Sequence, residues 1–338
     1  MPTLNEVAQK AGVSTATVSK VLSNTPYFSE ATRQKVMQAV EELGYRPNLA
    51  ARALSKGKTH VIGVVFPYIY DRVFTDPLVQ RILEGVEGEC SQRGYNLLLS
   101  TPQLAAQGPD ENYLRLLHSG YVDGLVALDN VPVASVLEPA RARNVPAVAI
   151  GYQPHAYYVH SDDHQGGQGL MEYILGLGHR HIGVITVRDG LNYSIRQRIA
   201  GLQTAAEAAG LNFAELPQIE GRFSLASGAE CARTLLEQHP QITALACMND
   251  RMALGALHYA REAGIAVPAA LSVVGYDDIS SAQHAVPPLT TINQQALQLG
   301  RMATRMLFEL LDQTEPASVV LPTELIIRAS AAPPVVQK

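Results

Sequence analysis

The sequence lacks tryptophan and has only three cysteines among its 338 residues. Cys90, Cys231 and Cys247 are widely spaced and form no C-x-x-C pair, which excludes a disulfide framework and a zinc site of the usual spacing. No run approaches the roughly 18 uninterrupted apolar residues that cross a bilayer, and the N-terminus lacks the charged-then-apolar order of a signal peptide. We therefore expect a cytoplasmic protein that does not contact a membrane.

The signatures of common enzyme classes are missing as well. Neither a Walker A motif nor a Rossmann glycine fingerprint lies between a strand and a helix, and there is no G-x-S-x-G elbow. The stretch from His155 to His164 holds three His and two Asp, but their spacing matches no compact tetrahedral metal site. We interpret Asp163 in this stretch as a helix cap. We expect no enzymatic activity, no metal and no cofactor.

Charge is distributed unevenly along the chain. Residues 1–60 carry eight basic and four acidic side chains, a net charge of +4, whereas the whole chain carries −5 and the remainder therefore −9. A basic N-terminal segment on an acidic body predicts that the segment meets a polyanion. The alternative is a chance distribution.

Three short helices are predicted in the basic segment. A capping box at residues 3–6 starts the first helix and Gly12 ends it, Ser14 caps the second, and the third runs from near Ser29 to Gly44. Two helices joined by a turn with a glycine form a helix-turn-helix unit, whose second helix enters the major groove of DNA. Small outward side chains on that helix allow close approach. A purely structural three-helix bundle is the alternative.

From Val61 onward, apolar runs of strand length alternate with helix-length segments. Strands that are apolar throughout and separated by helices indicate a parallel sheet covered on both faces. Because the alternation occurs twice, it predicts two doubly wound lobes. Ligands bind beyond the carboxyl ends of the strands in such folds, so the cleft between the lobes is the expected site.

Motifs along the whole chain carry a family resemblance. They include Leu4-Asn5-Glu6-Val7-Ala8, Ala11-Gly12-Val13-Ser14, Gly178-His179-Arg180-His181-Ile182, Val273-Val274-Gly275-Tyr276-Asp277-Asp278 and Pro288-Leu289-Thr290-Thr291-Ile292. On these residues the chain resembles the LacI/GalR (lactose-repressor/galactose-repressor) family of bacterial transcription regulators. The resemblance implies an N-terminal all-α helix-turn-helix DNA-binding domain and an α/β core of two doubly wound, Rossmann-like lobes, similar to periplasmic binding proteins. It also implies a homodimeric regulator, expected to be a repressor, that binds a near-palindromic operator and responds to a small effector.

The predicted domain boundaries follow these patterns. Residues 1–46 form the DNA-binding domain, 47–60 the hinge helix and linker, 61–330 the effector-binding and dimerisation core, and 331–338 the tail. Within the core, the first lobe takes residues 61–160 and 288–317, and the second lobe takes 161–287 and 318–330. The tail has no heptad pattern, which favours a dimer over a tetramer.

By the resemblance, Thr15, Ala16 and Lys20 touch base edges, and neighbouring hydroxyls reach phosphates. Lys20 stands where relatives commonly have arginine, and it is a single-point donor without arginine's planar fork. Residues 47–55 resemble the hinge helix, which is too short to be stable alone, and Leu54 matches its minor-groove wedge. A flexible linker with a surface leucine is the alternative. The DNA-binding candidates are Leu4, Ser14, Thr15, Ala16, Thr17, Ser19, Lys20, Asn24, Tyr45, Asn48, Ala51, Arg52 and Leu54.

The effector candidates come from both lobes. By the resemblance, Arg198, Asn249 and Asp277 reach into the cleft and together offer the donors, the amide and the acceptor that a sugar hydroxyl needs. The tyrosines near the loop mouths suit a sugar ring. A buried ion pair between Arg198 and Asp277, and ordinary packing of the tyrosines, are the alternatives. The effector-binding candidates are Phe74, Asp76, Thr101, Asp129, Tyr152, Tyr193, Arg198, Asn249, Asp277 and Gln294.

The expected partners are therefore double-stranded operator DNA, a second copy of the chain and a mono- or disaccharide effector. Three other functions remain open at this point. A transport binding protein would share the two lobes, but it would need a signal peptide and no basic segment. An enzyme would need one of the missing motifs, and a DNA-binding protein without an effector would leave the cleft empty.

Overall fold

The structure, a computed structural model, describes residues 2–22, 28–46, 58–66, 73–102, 110–128, 136–187 and 192–335. The chain separates into two compact units, Met1–His60 and Val61–Lys338. Within the described ranges, none of the helices combines the length and the apolar character needed to span a membrane.

The first unit contains the three predicted helices. They are α1 (Leu4–Ala11), α2 (Thr15–Leu22) and α3 (Glu30–Leu43). Thr3 forms the predicted capping box at α1, and Gly12 ends that helix with a φ of 64°, a left-handed conformation that glycine adopts without steric cost. The buried core of the unit consists of Val7, Ala8, Val18, Val21, Val36 and Ala39. The helix-turn-helix prediction is confirmed.

The first lobe of the second unit is built on a six-stranded parallel sheet with the order β11-β5-β4-β3-β1-β2. Its strands are β1 (Val61–Val65), β2 (Asn96–Ser100), β3 (Gly124–Leu128), β4 (Ala147–Ile150), β5 (Tyr157–Ser161) and β11 (Val319–Leu321). Its helices are α4 (Pro77–Gln92), α5 (Glu111–Ser119), α6 (Leu137–Arg141) and α11 (Ala296–Leu311). The central strand β3 is buried along its whole length, as expected for a sheet covered on both faces.

The second lobe is built on a four-stranded parallel sheet with the order β7-β6-β8-β9. Its strands are β6 (Ile182–Val187), β7 (Gln218–Gly221), β8 (Ala244–Cys247) and β9 (Ser272–Val274). Its helices are α7 (Asp163–Gly176), α8 (Tyr193–Ala208), α9 (Leu225–Gln238) and α10 (Asp250–Glu262). The two sheets confirm the predicted pair of doubly wound lobes.

The chain crosses between the lobes near residues 161, 290 and 322. At the last two crossings, β10 (Thr291–Asn293) pairs antiparallel with β12 (Glu324–Ile326). The strand β11 pairs parallel with β5 of the first sheet. The predicted boundary that placed residues 318–330 in the second lobe is therefore wrong for Val319–Leu321, because the main-chain hydrogen bonds of this strand complete the first sheet.

Three pairs of helices approach each other closely at glycines. A Cβ atom on Gly167 of α7 would overlap the carbonyl oxygen of Arg198 in α8, and one on Gly201 of α8 would overlap the carbonyl oxygen of His164. Only glycine fits where two backbones come this close. The equivalent glycines are Gly228 and Gly255 between α9 and α10, and Gly85 and Gly300 between α4 and α11. In the first pair this spacing sets Arg198 beside the start of α7.

Candidate functional site

The side chain of Arg198 is the centre of a buried polar group at the carboxyl ends of the second-lobe strands. Its Nε donates to Oδ1 of Asp163 at 2.8 Å, and its Nη1 donates to the carbonyl oxygen of Met248 at 2.9 Å and to Oδ1 of Asp277 at 3.4 Å. Its Nη2 donates to Oε1 of Gln294 at 3.3 Å. Only 5% of Arg198 is exposed. Three predicted effector residues are thus in contact, and the ion pair considered as an alternative is present.

Asp163 is the member of this group that sequence reasoning missed. The prediction that it caps a helix is wrong, because Asp162 is the N-cap of α7 and accepts the backbone N–H of Gln165 at 3.0 Å. Asp163 follows inside the first turn and points to Arg198 instead. Tyr276 lies under the guanidinium, with its ring centroid 3.7 Å from Cζ, and its hydroxyl donates to Asp163 at 3.1 Å.

Burial and charge oppose each other in this group. Burial alone would lower the pKa of Arg198, but the neighbouring carboxylates, Asp163 first, raise it above its usual value. Burial raises the pKa of Asp277 well above its usual range, and Arg198 only partly offsets this effect. The charges of Asp250, Asp76 and Asp163 add to that rise.

Aromatic rings from both lobes form a second part of the site. Tyr152, just beyond β4, stacks on Tyr193 at the start of α8, with ring centroids 4.3 Å apart and an interplanar angle of 24°. Tyr158 and His160 of β5 make edge contacts with Tyr152 at 5.2 and 6.0 Å. We call Tyr152, Tyr158, His160 and Tyr193 the aromatic cluster. It joins the lobes through ring contacts that a flat ligand could replace.

An ion pair also joins the lobes. Asp76 caps α4 by accepting the N–H of Leu78 at 3.0 Å, and its second oxygen lies 3.1 Å from Nη1 of Arg251 on α10. The other first-lobe candidates have different surroundings. Phe74 is 59% exposed, with its ring 6.4 Å from that of Phe66. Thr101 is exposed after β2, and Asp129 lies outside the described residues.

The outward face of α2 carries the candidates for reading DNA bases. Ala16 and Lys20 are exposed, whereas Thr15 is half-buried. Ser14 caps α2, since its Oγ accepts the N–H of Thr17 at 3.1 Å and lies 2.9 Å from the hydroxyl of the same residue. Ser19 is half-buried, and Leu4 and Tyr45 pack against the core of the unit. The candidates Asn24, Asn48, Ala51, Arg52 and Leu54 lie outside the described residues.

Comparison with known proteins identifies this combination of units. Residues 3–48 match the family model of bacterial regulatory proteins of the lacI family, and residues 171–331 match that of the periplasmic binding protein-like domain. The transcriptional repressor PurR of Haemophilus influenzae (strain PittEE) is 35% identical, over 98% of each chain. The chain belongs to the LacI family. Its relatives are transcriptional regulators, not enzymes.

Solved structures of the LacI family share the whole fold. The lac repressor dimer bound to operator and the anti-inducer ONPF has a TM-score of 0.85 at 28% identity and covers 98% of this chain and 99% of its own. The complex of the regulator CelR with cellobiose has a TM-score of 0.72 at 32% identity and covers 98% of this chain and 100% of its own. The chain is therefore similar to these regulators from the helix-turn-helix unit through both lobes.

In this LacI-family chain, Asn249 caps α10 and its neighbour Asp250 ties the helix to the strand crossing. Asn249 is the N-cap, and its Oδ1 accepts the N–H of Met252 at 3.0 Å, so this effector candidate also has a structural role. Asp250 is fully buried, and its two oxygens accept from Oγ1 of Thr291 at 2.5 Å and from the N–H of Ile279 at 2.9 Å. Burial raises the pKa of Asp250 to about 7, against the lowering effect of both hydrogen bonds.

This raised pKa predicts a pH-dependent stability. The pKa of Asp250 is higher in the folded chain than in the unfolded chain, where it is about 3.9. The protonated carboxyl group therefore stabilises the folded chain; this contribution to the unfolding free energy is complete below pH 4 and is lost as the pH rises through 7. We expect the unfolding free energy of the wild type to fall relative to Asp250→Asn by up to about 1.4 kcal/mol per pH unit across this interval. Urea titrations between pH 5 and pH 8 measure the difference, and parallel profiles would contradict it.

Proposed function

We propose that the chain is a cytoplasmic transcriptional repressor that binds a near-palindromic operator as a homodimer, and that a mono- or disaccharide in the cleft between its lobes controls the affinity for DNA. The observation that carries the proposal is the polar group around Arg198 beside the aromatic cluster. Tyr193 of the cluster is the first residue of α8, the helix that also carries Arg198, so one helix links the two parts. Donors, acceptors and ring faces together suit a sugar.

Two relatives support this proposal. The CelR structure contains cellobiose, and the lac repressor structure is a dimer on its operator. For this chain we propose that Tyr152, Tyr193, Gln294, Asp277 and the free N–H of Arg198 contact the effector. Asn249 contributes through its amide nitrogen, since its oxygen caps α10. Asp76, Phe74, Thr101 and Asp129 complete the first-lobe side.

The proposed switch acts through the contacts that join the lobes. A ligand changes a conformational equilibrium only through its different affinity for the two states. The Tyr152–Tyr193 stack and the Asp76–Arg251 ion pair hold the lobes together, so a ligand that replaces the stack changes the lobe arrangement. We propose that this change reaches the DNA through the hinge segment at residues 47–55, which lies outside the described residues.

On the DNA side, we propose that Thr15, Ala16 and Lys20 face the bases, with Ser14, Thr17 and Ser19 toward phosphates. The exposure of Ala16 and Lys20 on the outward face of α2 supports this assignment. Leu4, Asn24 and Tyr45 flank that helix in the proposed interface. Asn48, Ala51, Arg52 and Leu54 belong to the proposed minor-groove contact of the hinge.

Replacing Lys20 with alanine should weaken operator binding by about 1–3 kcal/mol and relax the preference at one base pair per half-site. Lys35→Ala, at another exposed lysine of this unit, is the matched control and should alter affinity equally for all sequences. Binding to a set of single-base operator variants measures both effects. A uniform loss for Lys20→Ala would identify a phosphate contact instead.

The overall proposal is tested in two steps. Selection from a random duplex library should yield a near-palindromic site, and titration of that site should be repeated with a panel of mono- and disaccharides and purines. One saccharide should change operator affinity by about 5- to 150-fold, the usual range of such coupling. It should also raise the melting temperature of the free protein. Binding without sequence preference, or an affinity that no compound changes, would overturn the proposal.

A further inference from the structure

Most of the hydrogen-bonding capacity of Arg198 is already used within the chain. A guanidinium has five N–H donors. Four of them are directed to Asp163, Met248, Asp277 and Gln294 at distances of 2.8 to 3.4 Å. A ligand can therefore engage one remaining N–H without breaking these contacts. An anionic group, which arginine usually holds through two parallel hydrogen bonds, would have to displace one of the carboxylates.

The charges around Arg198 are also balanced from within. Asp163 is 2% exposed and provides the nearest counter-charge, with Asp277 as a second carboxyl group on the same guanidinium. Two further arginines at this edge of the second lobe are paired in the same way: Arg251 with Asp76 at 3.1 Å, and Arg328 with Asp278 at 2.6 Å. Exposed Arg196 lies over the ring of Tyr193, 5.8 Å from its centroid. An anionic ligand would thus meet carboxylates wherever it approached one of the three paired arginines.

In contrast, Asp163 and Asp277 each have one carboxyl oxygen that accepts no hydrogen bond from the described residues. Oδ1 of Asp163 accepts from Arg198 and Tyr276, and Oδ1 of Asp277 accepts from Arg198 and Gln294. No residue in the described ranges donates to the second oxygen of either carboxyl group. These two oxygens belong to residues that are 2% and 6% exposed. They can accept hydrogen bonds from hydroxyl or amino groups of a ligand.

We propose that Asp163 makes the cleft selective for uncharged ligands that donate hydrogen bonds, such as unmodified sugars, and makes it exclude phosphorylated sugars and sugar acids. This inference rests on the proposed function and narrows its effector class. Asp163 acts by neutralising Arg198 and by offering its free oxygen to the ligand. Without it, Asp277 at 3.4 Å is the one carboxyl group of the described residues that remains in contact with Arg198.

Asp163→Asn removes the charge with little change of shape, and Asp162→Asn is the matched control. Asp162 is the adjacent N-cap, and asparagine caps helices equally well, so the control loses one negative charge without losing its hydrogen bond. Asp163→Ser provides the same charge change with a smaller side chain. Circular dichroism establishes that each variant is folded.

Binding of neutral and anionic sugars to the full chain without DNA is measured by titration calorimetry and by the shift in melting temperature. The matched probes are glucose with glucose 6-phosphate and gluconate, and ribose with ribose 5-phosphate. We expect the wild type and Asp162→Asn to reject the anionic probes. Asp163→Asn and Asp163→Ser should bind at least one of them about ten-fold or more tightly than the wild type, because like-charge repulsion is removed. Anion binding to the wild type, or no gain in either Asp163 variant, would overturn the inference.

These outcomes are separable from those of the proposed function. The proposed function fails if the chain shows no operator preference or no change of operator affinity with any compound. The inference concerns anion binding to the core in the absence of DNA. A core that accepts anionic probes and still regulates operator binding would refute the inference alone.

Discussion

Arg198→Met is expected to lower the unfolding free energy by about 3–5 kcal/mol, the cost of removing one partner from a buried ion pair. The loss is large because the variant leaves Asp163 and Asp277 buried with no cation between them, and it removes the ring contact with Tyr276. Urea titration followed by far-ultraviolet circular dichroism measures the change. A loss below about 1 kcal/mol, as for an exposed pair, would show that the group is not a buried ion pair in solution.

The double variant Arg198→Met, Asp163→Asn separates the cost of leaving a carboxylate unpaired from the cost of losing the other contacts of Arg198. Removing both partners of a buried pair is far less destabilising than removing one, so the double variant should recover part of the stability. The loss of unfolding free energy in Arg198→Met should also depend on pH. Carboxyl groups without a cation have a raised pKa in the folded chain, so their protonated form favours folding and the penalty should shrink as the pH falls toward 4.

The local signals of the sequence predicted the first unit well. Capping residues such as Thr3, Gly12, Ser29 and Gly44 act through hydrogen bonds within one helical turn, and each lies where the sequence placed it. The parallel sheets were equally predictable, because buried central strands such as β3 and β6 are apolar throughout.

Strands with mixed composition were missed. β5, with the sequence YYVHS, and β7, with QIEG, contain polar residues, and only two of five and one of four positions are buried. β7 lies at the edge of its sheet and β5 lies beside the edge strand β11. One face of such strands reaches solvent, so hydrophobicity alone does not distinguish them from loops. Main-chain pairing, which the sequence does not display, decides their position.

The site was predictable only in part. Family resemblance brought Arg198, Asp277 and Gln294 together, and the structure shows their hydrogen bonds. The resemblance could not identify Asp163, since two adjacent aspartates stand at the start of the helix and either could cap it. The contact between Asp163 and Arg198 spans 35 residues and depends on how α7 packs on α8, which glycines at the helix crossing determine.

Two glycines of the same helix should respond to alanine with opposite signs. Gly167→Ala should destabilise the chain by about 1–3 kcal/mol, because the added Cβ overlaps the main chain of Arg198 and the helices must separate. Gly169→Ala, two residues later, has no atom within 4 Å of the added Cβ. It should stabilise the chain by about 0.5–1 kcal/mol, since alanine is the better helix former. Equal effects at both positions would contradict the close approach of α7 and α8.

The separation of α7 from α8 has a second expected effect that distinguishes it from simple loss of stability. Asp163 begins α7 and Arg198 lies on α8, so Gly167→Ala should lengthen their contact and weaken effector binding as well. Gly300→Ala creates the same kind of overlap, with the main chain of Ile82, between α4 and α11 of the first lobe. It should destabilise the chain by a similar amount and leave the Asp163–Arg198 contact in place. A cleft ligand that lost affinity equally in both variants would show that the helix spacing does not set the geometry of the site.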